Sequence, residues 1–80
     1  MAEVERQVRE VMAEVLEVDA RRIGEEFARG DAPSWDSLNH LRLVAAIEEA
    51  FGVRFTMREV GEMESYAAIR RLLAARIASA

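Results

Sequence analysis

The 80-residue chain contains no cysteine and a single histidine, His40. The missing thiols exclude disulfides and thiolate metal sites, the devices by which many small domains make up for a thin core. One imidazole excludes a multi-histidine metal centre. No apolar run approaches the length of a membrane span. The opening Met1-Ala2-Glu3-Val4-Glu5-Arg6 puts charges where a signal peptide needs an apolar stretch. Basic charge is also scarce: 11 basic residues stand against 15 acidic ones, for a net charge of −4. Nucleic-acid binders need a basic surface to neutralise phosphates, so nucleic acid is not an expected partner. The acidic balance serves solubility and suits partners with basic patches. There is no repeat, no low-complexity tract and no linker. A soluble, cytoplasmic protein is expected, with one domain over residues 1–80, and Met1 with the compact ends points to a free-standing chain. So short a domain leaves little room for a deep, water-excluding active site, which argues against a self-contained enzyme.

Hydrophobic periodicity is what the chain does have. Val4, Val8, Val11, Met12, Val15 and Leu16 fall on one stripe and predict a helix from about Ala2 to Glu17. A long connection follows, Val18 to Asp36, broken by Gly24, Gly30 and Pro33. Val18, Ile23 and Phe27 are spaced along it as anchors, which predicts a loop tied down over a core. A second helix is predicted from Asp36 or Ser37 to Phe51, with Asp36 as N-cap and Gly52 as the left-handed residue that ends it. Val53 and Phe55 then dip back into the core. Met57 to Met63 is a weaker helical segment, interrupted by Gly61. Ser65 caps a last helix from Tyr66 to about Ala78, whose buried stripe is Ile69, Leu72, Leu73 and Ile77. Nothing alternates with period two, so the predicted class is all-α: a small four-helix bundle of three main helices and one short one, with a long first loop.

On a helical wheel the second helix has two apolar sides. His40, Leu43, Val44, Ile47 and Phe51 form a core face. Leu38, Leu41 and Ala45 form another, with Arg42, Ala46 and Glu49 on the remaining side. Leu38 and Leu41 either pack beneath the long loop or form a contact surface. Ser37 sits in the first turn, where free amide hydrogens and the positive dipole end favour a phosphate ester. Position alone favours a plain helix-start serine, since serine there is usually just a capping residue. A hydrolase is disfavoured, because no orienting carboxylate, oxyanion loop or Gly-x-Ser-x-Gly elbow accompanies Ser37 and His40.

Trp35-Asp36-Ser37-Leu38, with Leu41, Leu43, Ile47, Glu48, Glu49, Phe51, Gly52, Val53 and Phe55, resembles the acyl carrier protein family. The stretch SWDSLNHLRLVAAIEEAFGVRF is similar to that family's second helix with its Asp-Ser-Leu signature. Val18-Asp19, Ile23 and Phe27 resemble the anchors of its first loop, Met57 to Met63 its short third helix, and Ser65 onward its last. The resemblance implies that Ser37 accepts 4′-phosphopantetheine from coenzyme A through a magnesium-dependent phosphopantetheinyl transferase. The arm ends in a thiol that carries acyl groups as thioesters, so a chain without cysteine still takes part in thiol chemistry. Asp36 is then both cap and transferase-recognition residue. Leu38, Leu41, Arg42, Glu48 and Glu49 face partner enzymes, joined by Glu59 and Glu62. Those partners are an acyl- or aminoacyl-loading enzyme and a downstream synthase or transferase, and a monomer is expected. The core face of the second helix would open slightly to shelter an apolar acyl chain, each methylene contributing roughly 0.8 kcal/mol.

The chain departs from the commonest family pattern at three positions. Arg42 replaces a frequent acidic residue, Ser34 a frequent glycine, and Trp35 is bulkier than usual. These changes fit a dedicated pathway better than housekeeping fatty acid synthesis. A D-alanyl-type or peptidyl carrier also resembles the chain around Trp35-Asp36-Ser37, and an unmodified helical interaction module is a further alternative. His40 either lines the mouth of an acyl pocket or is held by a hydrogen bond to the loop.

Overall fold

The computed structural model of the protein describes residues 2–79. Met1 and Ala80, the ends of the expected domain, lie outside the described residues, as does the inference drawn from Met1. Four helices follow one another: α1 (Ala2–Leu16), α2 (Ser37–Phe51), α3 (Met57–Glu62) and α4 (Tyr66–Ser79). Two short 3-10 turns, Ala20–Arg22 and Arg29–Asp31, punctuate the long first loop. The all-α class and the order of three main helices and one short one are as the periodicity predicts. Among the described residues the only β-type pairing is a single antiparallel bridge between Ala28 and Ser65.

α1 buries Val8, Met12 and Leu16 completely, spaced four residues apart, with Val4, Val11 and Val15 packed at the margins. Glu3 and Glu5 in its first turn complement the positive dipole end. The helix stops one residue earlier than expected, because Glu17 adopts a left-handed conformation at φ 57°. The Val18 amide then reaches back to the Ala13 carbonyl at 3.1 Å, and the Ser34 hydroxyl donates to the Leu16 carbonyl at 2.6 Å. α2 ends in the same geometry, with Gly52 at φ 66° and the Val53 amide on the Glu48 carbonyl at 3.1 Å. Glycine adopts this conformation without steric penalty, whereas a glutamate does so only at some cost.

The first loop is held at many points. Asp19 accepts the Arg21 amide and starts the first 3-10 turn. Ile23 and Phe27 are buried and Val18 is partly buried, so the three expected anchors do anchor. The loop also pairs with the start of α4: the Tyr66 amide donates to the Phe27 carbonyl at 2.9 Å, and the Arg29 amide to the Glu64 carbonyl at 3.0 Å. This seam, distant in sequence, fixes where Arg29 sits.

Gly61 does not interrupt α3, contrary to expectation. Thr56 and Glu59 form a reciprocal capping box: the Thr56 hydroxyl accepts the Glu59 amide at 3.1 Å, and the Glu59 carboxylate accepts the Thr56 amide at 2.8 Å. Met63, fully buried, ends the segment, and Val60 packs against the core. Together these outweigh the glycine's cost of about 1 kcal/mol. α4 starts as expected, the Ser65 hydroxyl accepting the Ala68 amide at 3.1 Å. Of its expected stripe, Ile69 and Leu73 are fully buried, while Leu72 and Ile77 are partly covered. Each fully buried side chain of this size contributes about 1.5–3 kcal/mol through removal from water. The common core runs from Val8, Met12 and Leu16 through Leu43 and Ile47 to Ile69 and Leu73.

Candidate functional site

The start of α2 is set by Asp36. Its backbone is extended, its carboxylate accepts the Asn39 amide at 2.9 Å, and its carbonyl accepts the His40 amide at 2.8 Å. Ser37 is therefore the first helical residue and is exposed, with the Ser37 and Leu38 amides left free by the geometry of a helix start. Asn39 steadies the approach, its amide nitrogen donating to the Ser34 carbonyl at 2.8 Å.

Trp35, two residues before Ser37, is 3% exposed. Its ring stacks between Phe27 and His40, with centroids at 6.0 and 6.1 Å. The indole Nε1–H donates to His40 Nδ1 at 2.9 Å. An indole nitrogen only donates, so Nδ1 is unprotonated and Nε2 carries the hydrogen, which it gives to the Val60 carbonyl at 2.7 Å. Both ring nitrogens are thus occupied inside the bundle. Of the two readings of His40, the hydrogen bond to the loop is the one the structure displays. The same occupancy leaves His40 unavailable as a general base for Ser37.

Arg29 is the residue of the candidate site that sequence reasoning missed. Its Nε donates to the Trp35 carbonyl at 3.1 Å, its Nη1 to Glu64 Oε2 at 2.9 Å and its Nη2 to Ser37 Oγ at 3.3 Å. Arginine inside a loop carries no periodic signal, and its partners lie up to 35 residues away in sequence.

The second apolar face of α2 lies open. Leu38 is 58% exposed and Leu41 57%, so neither packs beneath the loop. The loop is drawn instead toward α1 and α4 by Ser34, Phe27 and Arg29. Arg42 and Glu49 are exposed and make no ion pair among the described residues. Glu48 behaves differently: its carboxylate turns back to accept the Phe55 amide at 2.9 Å, fixing the chain after α2. Glu59 is likewise engaged, with Thr56 and with Arg76, and Glu62 pairs with Arg58 at 3.6 Å. The Thr56 backbone amide first, and the Arg76 guanidinium next, hold the Glu59 carboxyl below its ordinary range. A shallow groove between α1 and α2 is lined by Val11, Val15, Ala45 and Ala46, with Glu10 and Glu49 also on it.

No family model matches the chain. Among solved structures, a holo acyl carrier protein from Geobacter metallireducens, determined in solution by NMR, superposes with a TM-score of 0.84 at 20% identity. The match covers 95% of this chain and 87% of that one. The fold is that of an acyl carrier protein. At such low identity the likeness carries the architecture alone. An acyl carrier protein fold here presents an exposed hydroxyl at the start of α2, a fixed guanidinium against it, and an apolar ridge one turn away. No helix among the described residues is long and apolar enough to cross a membrane.

Proposed function

We propose that the chain is a single carrier domain in which Ser37 is esterified by 4′-phosphopantetheine and passes thioester-bound acyl intermediates between partner enzymes. The observation that carries this reading is the Ser37 hydroxyl: exposed, and set immediately after a capping aspartate at the first turn of α2. It stands on a fold shared with a protein described as a holo acyl carrier protein. The residues present fit such a group. The hydroxyl is open to solvent, the Ser37 and Leu38 amides are left free by the helix start, and an ester there meets the positive end of a helix dipole. When attached, the group supplies a thiol that the chain lacks.

The chain's own part is presentation. Asp36 fixes the helix start and so the direction of Ser37. Leu38 and Leu41 form an apolar contact for a phosphopantetheinyl transferase, a loading enzyme and a downstream synthase or transferase, with Arg42 and Glu49 setting charge around it. Glu48 acts on the same helix by holding Phe55 rather than by reaching outward. The arginine at position 42 favours partners of a dedicated pathway.

The test is intact mass after incubation with coenzyme A, magnesium and a broad-specificity phosphopantetheinyl transferase. The wild type is expected to gain one phosphopantetheinyl group and Ser37→Ala none, while remaining folded. No gain by the wild type, under conditions that modify a known carrier, would overturn the reading in favour of an unmodified interaction module.

A further inference from the structure

Arg29 is a strange residue to find on a neutral hydroxyl. Its side chain is 30% exposed and is held at two of its three hydrogen-bonding edges. Nε is bound to the Trp35 carbonyl and Nη1 to the Glu64 carboxylate, and the Arg29 backbone amide is bound to the Glu64 carbonyl. Those contacts fix both the position and the plane of the guanidinium. The remaining edge, Nη2, is aimed at Ser37 Oγ, at 3.3 Å, a long contact for this donor. Guanidinium groups form shorter and stronger bonds to anionic oxygens, and their forked geometry matches carboxylate and phosphate.

We propose that Arg29 is the binding residue for the phosphodiester at the root of the Ser37-linked arm, with Glu64 as the residue that positions it. This rests on the carrier reading of Ser37. Esterification forms the Oγ–P bond as the pyrophosphate bond of coenzyme A breaks, releasing adenosine 3′,5′-bisphosphate and the hydroxyl proton. It makes Oγ a bridging oxygen and leaves two non-bridging oxygens, sharing one negative charge, within reach of a guanidinium that already touches Oγ. The single negative charge of the diester meets Nη2 from one side and the free Ser37 and Leu38 amides from the other. The root of the arm is thereby fastened to the first loop, and through Glu64 to the start of α4, while the rest of the arm stays free.

The test begins with apo and modified forms of the wild type and of Arg29→Gln, each verified by intact mass. Modification is expected to raise the melting temperature of the wild type by a few degrees, with the rise diminishing in high salt, and to leave that of Arg29→Gln unchanged. The 31P resonance of the modified protein is expected to differ between the two. Equal apo-to-modified shifts in both proteins, together with identical 31P positions, would overturn the inference. Arg29 also holds Trp35 and Glu64, so Arg29→Gln can fail to fold. The wild type then decides: its Arg29 Nε–H resonance, assigned by its absence from Arg29→Lys, must move on modification, and a resonance that stays in place overturns the inference. A wild type that takes up no phosphopantetheinyl group at all is the different result that defeats the carrier reading itself.

Discussion

α2 shows two faces that are built by opposite rules. On one, His40, Leu43, Val44 and Ile47 are buried, and both polar atoms of the imidazole are satisfied within the fold. On the other, Leu38 and Leu41 stand more than half exposed beside an arginine and a glutamate that make no ion pair among the described residues. Both faces belong to the same 15 residues and share one cap. Stability is concentrated on the first, and the proposed function gives partner contact to the second, so substitutions should separate cleanly by face.

The largest separation is expected between Ile47→Ala and Leu41→Ala. The first leaves a cavity in the core and should cost about 2–5 kcal/mol by chemical denaturation. The second should stay within about 0.5 kcal/mol while weakening binding to a loading or synthase partner in a titration. A Leu41→Ala loss as large as that of Ile47→Ala would break the distinction. His40→Phe sharpens it by asking whether the closed face depends on packing or on polar pairing. The substitution keeps a ring beside Trp35 but strands the indole N–H and the Val60 carbonyl, at about 1–3 kcal/mol for each group left unsatisfied. A neutral result would mean that stacking alone holds the loop.

The smallest effect concerns Glu59, an acidic residue drawn into the structure rather than left for partners. Its folded carboxyl titrates below the ordinary value, so its contribution is fully present above the unfolded pKa and is lost as pH falls through the folded one. Glu59→Gln should therefore be less stable than the wild type at neutral pH. The gap should begin to close near pH 4, about where a free glutamate titrates, and vanish in stronger acid, as read from paired thermal melts. A gap independent of pH would assign the role of Glu59 to shape rather than charge.

Legibility in the sequence followed the range of each interaction. The N-cap at Asp36, the stop at Gly52, the cap at Ser65 and the stripes of α1 and α4 are local signals, and the structure repeats them. Two local features misled. Gly61 reads as a break when taken alone, whereas the Thr56–Glu59 capping box sustains α3 through it. Glu17 offered no sign of a left-handed turn, since side chains of its type rarely adopt one. Long-range placement was not readable at all. Arg29 reaches Ser37 only because residues 27–29 of the loop meet residues 64–66, and neither periodicity nor spacing encodes that seam. The exposure of Leu38 and Leu41 was equally undecided, because whether a loop covers a face depends on where its other anchors pull it.

Trp35 has a consequence of another kind. It is the one tryptophan in the chain, buried between two rings and separated from Ser37 by a single residue. Its emission therefore comes almost wholly from the base of the candidate attachment point, with no competing indole. Wavelength and quenching by added iodide would follow loosening or tightening of that corner in real time, during modification, loading or partner docking. The chain carries its own optical probe, already placed where a spectroscopist would have engineered one.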